Sequence, residues 1–196
     1  EMNTWIKAFR LRTLPLAFSS ILMAAFLAYY SGHFQVLILV LSLFTTLFLQ
    51  VLSNLANDYG DALSGVDGPD RRGPQRSVQS GAITREQMKI AIILYACLSF
   101  ISGGILIVYV FKDHWLNLLL FLTLGLGAIA AAIKYTMGSN PYGYSGFGDV
   151  FVFIFFGLIG VFGGYYLFNR ELEIIFLLPA VSCGLLSVGV LNVNNI

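Results

Sequence analysis

The chain has 196 residues, of which 58% are hydrophobic and only 11% carry a formal charge, with a net charge of +1. A soluble domain carries about 25% charged residues, so this composition excludes an ordinary soluble globule. The near-zero net charge gives no ground for a nucleic-acid partner. Two cysteines, Cys97 and Cys183, each inside an apolar segment, support neither a disulfide scaffold nor a metal knuckle and read as small buried packing residues.

In chain order, residues 5–12 mix apolar side chains with Lys7, Arg10 and Arg12. This pattern predicts an interfacial amphipathic helix, so that residues 1–13 form a unit distinct from the transmembrane part at 14–196. Pro15 is expected to bend the chain into the first span. Six apolar segments then approach or reach the roughly 17–25 residues that cross a bilayer, at 14–30, 36–55, 90–110, 115–135, 150–168 and 174–193. The predicted fold class is all-α, a polytopic transmembrane helical bundle.

Six crossings distribute the hydrophilic ends over two surfaces. Nine of the eleven Lys and Arg residues fall on the side of the N-terminus, and only Lys112 and Arg170 on the other. This bias predicts a cytoplasmic N-terminus. His33 and His114 fall on the opposite surface and read as loop residues. Within the spans, Gly160 and Gly164 share a helical face and predict close helix approach inside one bundle. Thr84 followed by Gln87 predicts a capping box opening the third span.

The informative polar residues follow the second span. Asn54, Asp58 and Asp61 share a face at helical spacing, and Asn57 stands one turn before Asp61. Carboxylates beside lipid are costly and are kept for a cavity or ligand. Mg2+ takes hard oxygen ligands and bridges carboxylates to substrate phosphates, which makes Asp58 and Asp61 candidate ligands. Asp67 and Asp70 either return to the same metal or pair with Arg71 and Arg72. Arg71, Arg72 and Arg76 present rigid guanidinium forks suited to diphosphate oxygens, or else serve topology and lipid contact. The blandest reading of the run is a solvated, self-compensating loop.

A second polar group follows the fourth span: Lys134, Tyr135, Thr136 and the loop GSNPYGYSGFGD ending at Asp149. Its glycines permit tight turns, while Tyr142 and Tyr144 offer rings and hydroxyls for a planar aromatic ligand. Lys134 is available to a carboxylate or phosphate, or snorkels to the interface. Asp149 borders the site or caps the fifth span.

The stretches RLRTLPLAFSS at 10–20, NLANDYGDALSGVDGPDRRGPQRSVQSGAIT at 54–84, YTMGSNPYGYSGFGDVFVFIFFG at 135–157 and LNVNN at 191–195 resemble the UbiA superfamily of intramembrane prenyltransferases. Within it they look most like the branch acting on 1,4-dihydroxy-2-naphthoate in menaquinone biosynthesis. The resemblance implies an Mg2+-dependent enzyme of the bacterial cytoplasmic (inner) membrane. It would transfer a polyprenyl group from polyprenyl diphosphate to a dihydroxynaphthoate-like acceptor, with decarboxylation. It also implies metal ligation by Asp58, Asp61 and Asp67. Arg72 and Arg76 would then contact the diphosphate, and Lys134, Tyr135 and Asp149 would border the acceptor or prenyl site. Asn54, Asn57 and Tyr142 join them as substrate-binding candidates from their own spacing and chemistry.

The family pattern NDxxDxxxD is matched by Asn57, Asp58 and Asp61, but Gly65 occupies its last position. The family also has about nine helices and a second Asp-rich motif. Asn192, Asn194 and Asn195 stand where that motif is expected to begin, so the chain is expected to be an N-terminal portion of a longer enzyme. Two other functions are open: a prenyltransferase with another aromatic acceptor such as 4-hydroxybenzoate, and a small-molecule transporter or channel.

Overall fold

The computed structural model describes residues 2–65 and 76–195. Its elements, in order, are α1 (Met2–Phe9), a 3-10 turn (Leu11–Thr13), α2 (Leu14–Tyr30), α3 (Val36–Ser64), α4 (Arg85–Phe111) and α5 (Trp115–Lys134). Then come α6 (Gly148–Val152), a π-helical stretch (Phe153–Gly163), α7 (Gly164–Asn169) and α8 (Leu177–Asn195), the last entered through a 3-10 turn at Ile174–Phe176. Among the described residues, six helical stretches are long and apolar enough to cross a membrane, consistent with an all-α, membrane-type helical bundle.

The join between α1 and α2 differs from expectation. The helical path is interrupted at Arg10, whose φ of 49° is left-handed, and Pro15 sits in the first turn of α2. A proline there costs nothing, because the first N–H groups of a helix have no intrahelical acceptor. The bend therefore precedes the proline. α4 opens on the predicted capping box: Thr84 Oγ1 accepts from the Gln87 N–H at 3.2 Å, and Gln87 Oε1 accepts from the Thr84 N–H at 3.0 Å.

At 29 residues, α3 is about 44 Å long, which exceeds the roughly 30 Å hydrocarbon core of a bilayer. Its last turns must project past the core, and they carry Asn57, Asp58 and Asp61. Gly65 ends the helix at φ 71°. The position where the resembling family's motif has its last aspartate is therefore a left-handed cap here, which glycine adopts without a Cβ penalty.

The helices form two groups. α3 packs on α4 and α5, whereas α8 packs on α6 and the π-helical stretch, and α2 bridges the groups. Glycines set the second interface as expected. A Cβ on Gly160 would stand 2.9 Å from Ser20 Cβ, and one on Gly164 would stand 3.0 Å from Ala24 Cβ. Gly157 meets the Ala180 carbonyl in the same way, at 2.7 Å. Ser20 Oγ donates to the Phe156 carbonyl at 2.6 Å, so the widened helix is tied to α2 by a hydrogen bond as well as by packing. Gly125 and Gly127 of α5 have no neighbour of this kind.

One apolar cluster gathers Leu52, Leu55, Tyr59, Met88 and Ile92 near the α3 terminus, and another gathers Ala28, Ile38, Val110, Phe111 and Tyr165 at the far end of the bundle. The cysteines depart from expectation: Cys97 is exposed and Cys183 half-buried, and both are free. An exposed thiol on a membrane-facing helix meets lipid rather than water, which removes the pressure to bury it. His33 and His114 are exposed in the far-side loops, as expected.

Candidate active site

The terminus of α3 gathers three segments distant in sequence through four side chains, Asn54, Asn57, Asp58 and Asp61. Asn54 is buried and donates to the Phe9 carbonyl at 2.9 Å and to Thr13 Oγ1 at 3.0 Å, which fastens the N-terminal hinge to α3. One turn later, Asp58 is 2% exposed, and its two oxygens accept the backbone N–H groups of Ser77 and Val78 at 3.0 and 3.1 Å. A buried carboxylate needs such partners, and here they fasten the returning loop. Pinning residues 77 and 78 delivers the preceding residue, Arg76, to Asp61, with which it forms a buried ion pair.

Asp61 also accepts a hydrogen bond from the Tyr144 hydroxyl, which lies 3.2 Å from Ser64 Oγ. Asn57 Oδ1 lies 3.2 Å from Thr136 Oγ1, and that hydroxyl donates to the Ala56 carbonyl at 3.0 Å. The stretch following α5 is thus drawn against α3. Within it, the Gly143 N–H donates to the Tyr135 carbonyl at 2.8 Å, and the Tyr142 hydroxyl donates to the Ala131 carbonyl at 2.7 Å. The Tyr142 ring stacks on Phe151 with centroids 4.0 Å apart and meets Tyr135 edge-on at 5.3 Å.

Burial raises the Tyr142 and Tyr144 hydroxyls to a pKa of about 12, helped at Tyr144 by its hydrogen bond to Asp61. Tyr135 is raised as well, chiefly by burial and then by the negative fields of Asp61 and Asp149. All three therefore remain neutral hydrogen-bond donors at physiological pH.

Between the two helix groups runs a cavity of about 430 Å3. Asn54, Asn57, Tyr135 and Tyr142 line it at the α3 terminus, and Leu106, Phe121 and Leu167 line it toward the far end. Along α3 its wall extends from Ser42 to Asn57, about 22 Å at 1.5 Å per residue. A mostly apolar pocket with a few convergent polar groups at one end is suited to a ligand with a long hydrocarbon part and a polar head.

Of the residues singled out in the sequence, Asn54, Asn57, Asp58, Asp61 and Arg76 come together at the α3 terminus. Asn54, Asn57, Tyr135 and Tyr142 line the cavity, whereas Asp58, Asp61 and Arg76 stand beside it without lining it. Lys134 is exposed in the last turn of α5 and does not line the cavity. Asp149 is also exposed; it lies in the first turn of α6, whose N-cap is Phe147, and accepts from Asn192 Nδ2 at 3.2 Å. Asp67 and Arg72, with Asp70 and Arg71, lie outside the described residues. Thr13, Thr136 and Tyr144 join the site through contacts that no spacing in the sequence announces. The only prior signal was the tyrosine-rich loop itself.

Residues 17–196 match the profile of the UbiA prenyltransferase family. The chain belongs to this family. Its relatives include the 1,4-dihydroxy-2-naphthoate octaprenyltransferase of Escherichia coli, 47% identical over 99% of this chain and 63% of the relative. The Haemophilus influenzae protein of the same name is 46% identical over 100% of this chain and 64% of the relative. The Mycobacterium tuberculosis protein of that name is 34% identical over 98% and 63%, respectively. The chain thus spans just under two thirds of the length of these relatives. No solved structure matches it significantly.

For a UbiA-family chain the donor chemistry at the α3 terminus can be compared with the needs of Mg2+. Among the described residues no group of three or more Asp, Glu, His or Cys side chains is placed to hold a metal. Mg2+, however, is commonly held by one or two carboxylates together with substrate phosphates. Asp58 and Asp61 are two buried oxygen donors, and each oxygen of an ionised carboxylate accepts more than one partner. The residues present therefore fit such an ion in kind and number.

Proposed function

We propose that the protein transfers a polyprenyl group from polyprenyl diphosphate to 1,4-dihydroxy-2-naphthoate, with loss of the acceptor carboxylate as CO2, giving demethylmenaquinol, the hydroquinone form of demethylmenaquinone. The observation that carries this reading is a long apolar cavity whose polar end is lined by Asn54 and Asn57, on the same helix terminus whose Asp58 and Asp61, with the Arg76 that pairs with Asp61, form a charged cluster beside that lining. An isoprenoid tail fits the apolar length, and a diphosphate suits the neighbouring charged cluster. The acceptor is taken from the relatives named above.

In this reading Asp58 and Asp61, joined by Asp67, would hold Mg2+ with the substrate diphosphate, and the ion would supply positive charge to offset that of the diphosphate and of the departing pyrophosphate. Arg76 and Arg72 supply fork-shaped donors to the same oxygens. Asn57 and Asn54 border the diphosphate end of the cavity. Breaking the allylic C–O bond sends its electron pair to pyrophosphate. The electron-rich ring carbon that bears the carboxylate attacks the allylic carbon, and loss of CO2 restores aromaticity. Tyr135 and Tyr142 present ring faces and edges to the planar acceptor. Lys134, outside the cavity lining, attracts the anionic acceptor from the membrane surface, and Asp149 borders the same mouth.

The reading places the protein in the bacterial cytoplasmic membrane with its N-terminus in the cytoplasm, because nine of eleven cationic side chains collect on the N-terminal side. The charged cluster at the α3 terminus then lies on the side where Mg2+ and soluble acceptor are available. The test is acceptor screening of the full-length protein in lipid, with one labelled polyprenyl diphosphate and Mg2+. Prenylated naphthoquinol with pyrophosphate release is the expected product. Preference for 4-hydroxybenzoate would overturn the choice of acceptor. Substrate flux across vesicles without pyrophosphate release would overturn the reaction in favour of transport.

A further inference from the structure

At the opposite ends of the same helices a second cavity, of about 390 Å3, opens between α3, α4 and α7. Ile38, Val110 and Phe168 give it an apolar floor, and Gln35, Lys112 and Arg170 stand around it. This is the surface that carries only two of the eleven Lys and Arg residues in the chain, and both line this one cavity.

The acidic residues of that surface are elsewhere. Asp113 and Glu171 do not line the cavity, and Glu173 accepts from the Tyr165 hydroxyl at 2.5 Å. Among the described residues, neither Lys112 nor Arg170 has an ion-pair partner. Both cap helix C-termini, α4 and α7, where a positive charge offsets the negative end of the helix dipole. Helix capping accounts for each charge singly, but not for their sharing a cavity, where like charges repel.

The backbone at Arg170 adds a second observation. Its φ is 60°, and Arg10 is the only other described non-glycine residue with a positive φ. Glycine or asparagine would close α7 in this conformation at lower cost. A strained position that keeps a guanidinium facing a cavity points to a ligand for it. The Tyr109 hydroxyl donates to Gln35 Oε1 at 3.5 Å, which leaves the Gln35 NH2 group as a further donor.

We propose that this cavity binds a phosphate-bearing anion, the headgroup of an anionic phospholipid, at the membrane surface opposite the prenyl-transfer site. Arg170 supplies a planar fork that matches phosphate oxygens, and Lys112 a compact charge. The apolar floor directly beneath accepts the start of the acyl chains. The inference is independent of the proposed reaction, because its readout is lipid retention.

The experiment is native mass spectrometry of the full-length protein released from nanodiscs of phosphatidylglycerol or phosphatidylcholine, with lipids counted per molecule. Wild type retains phosphatidylglycerol in preference to phosphatidylcholine. Lys112→Gln and Arg170→Gln each lower that retention about fivefold, from roughly 1 kcal/mol per cation near a lipid headgroup, and Arg170→Lys restores part of it. Displacement of retained lipid by millimolar inorganic phosphate, with equal thermal protection, would keep the anion site and name free phosphate as its source. Failure of phosphate to displace assigns the site to lipid. Wild-type retention by the Lys112→Gln/Arg170→Gln double variant would overturn the proposal. So would an equal loss on Lys7→Gln, which lies at the other surface, since the effect would then be one of net charge alone.

Discussion

Gly60 of α3 lies so close to the backbone of Thr136 that a Cβ placed on it would stand 2.4 Å from the Thr136 carbonyl oxygen. The close approach allows the segment after α5 to reach α3, where Thr136 bonds the Ala56 carbonyl and Tyr144 bonds Asp61. Gly60→Ala is therefore expected to destabilise the fold by about 1–3 kcal/mol, the usual cost of overpacking. Prenyl transfer should fall as well, because the tyrosine loop is displaced. Unfolding in detergent and turnover in lipid both report on this variant, and wild-type values for both would show that the contact is not maintained.

The two buried aspartates separate experimentally. Asp58→Asn leaves one acceptor oxygen for two backbone N–H groups, and an unsatisfied buried donor costs about 1–3 kcal/mol. Trypsin should then cut after Arg76 faster than in wild type. Asp61→Asn leaves the Ser77 and Val78 bonds intact, so cleavage should change less. Both variants should show a roughly hundredfold drop in Mg2+-dependent prenyl transfer, on the scale of removing a preorganised electrostatic partner, because both aspartates are proposed to hold the ion. Equal proteolysis of the two variants would contradict the loop-fastening role of Asp58, and wild-type turnover of either would remove that aspartate from the metal site.

Alkaline titration addresses the tyrosine loop. Tyr142 and Tyr144 have pKa values raised from 10.0 to about 12, chiefly by burial. A raised native pKa means that the folded state holds a proton which the unfolded state has already lost. The stabilisation is therefore fully present below pH 10.0 and is lost as pH rises through about 12. The Tyr142→Phe/Tyr144→Phe double variant should show a shallower fall in stability across that window. An identical alkaline slope, followed by unfolding at a series of pH values, would place these hydroxyls in water.

Gly125 lines the central cavity, and a Cβ there meets nothing within 4 Å. Gly125→Leu should fold normally, since leucine favours helix over glycine by about 1 kcal/mol. It should also fill part of the apolar length. Use of long polyprenyl diphosphates is expected to fall while a short donor such as geranyl diphosphate is used at close to the wild-type rate. Equal loss for short and long donors would remove the cavity from the prenyl path.

Much of the architecture is legible without coordinates because it depends on local quantities. Six spans follow from the length and continuity of apolar runs, the capping box from Thr84 and Gln87 three residues apart, and the Gly160–Gly164 face from one turn of helix. The shared face of Asn54, Asp58 and Asp61 is equally local, a consequence of 3.6 residues per turn. Periodicity of this kind says which side chains point together, whatever stands opposite them.

What stands opposite was decided by tertiary structure. Asp58 spends both oxygens on N–H groups 19 and 20 residues away, and Asp61 meets a tyrosine 83 residues away. Lys134 and Tyr135 are neighbours in sequence, yet one is exposed and the other lines the cavity, because α5 ends between them and the chain turns. Lys112 and Arg170, unrelated by any spacing, meet at one cavity because α4 and α7 end side by side. The sequence by itself determined the helices, their apolar lengths and the carboxylate face. The partners of each charge depended on how separate helices pack, which no local period encodes.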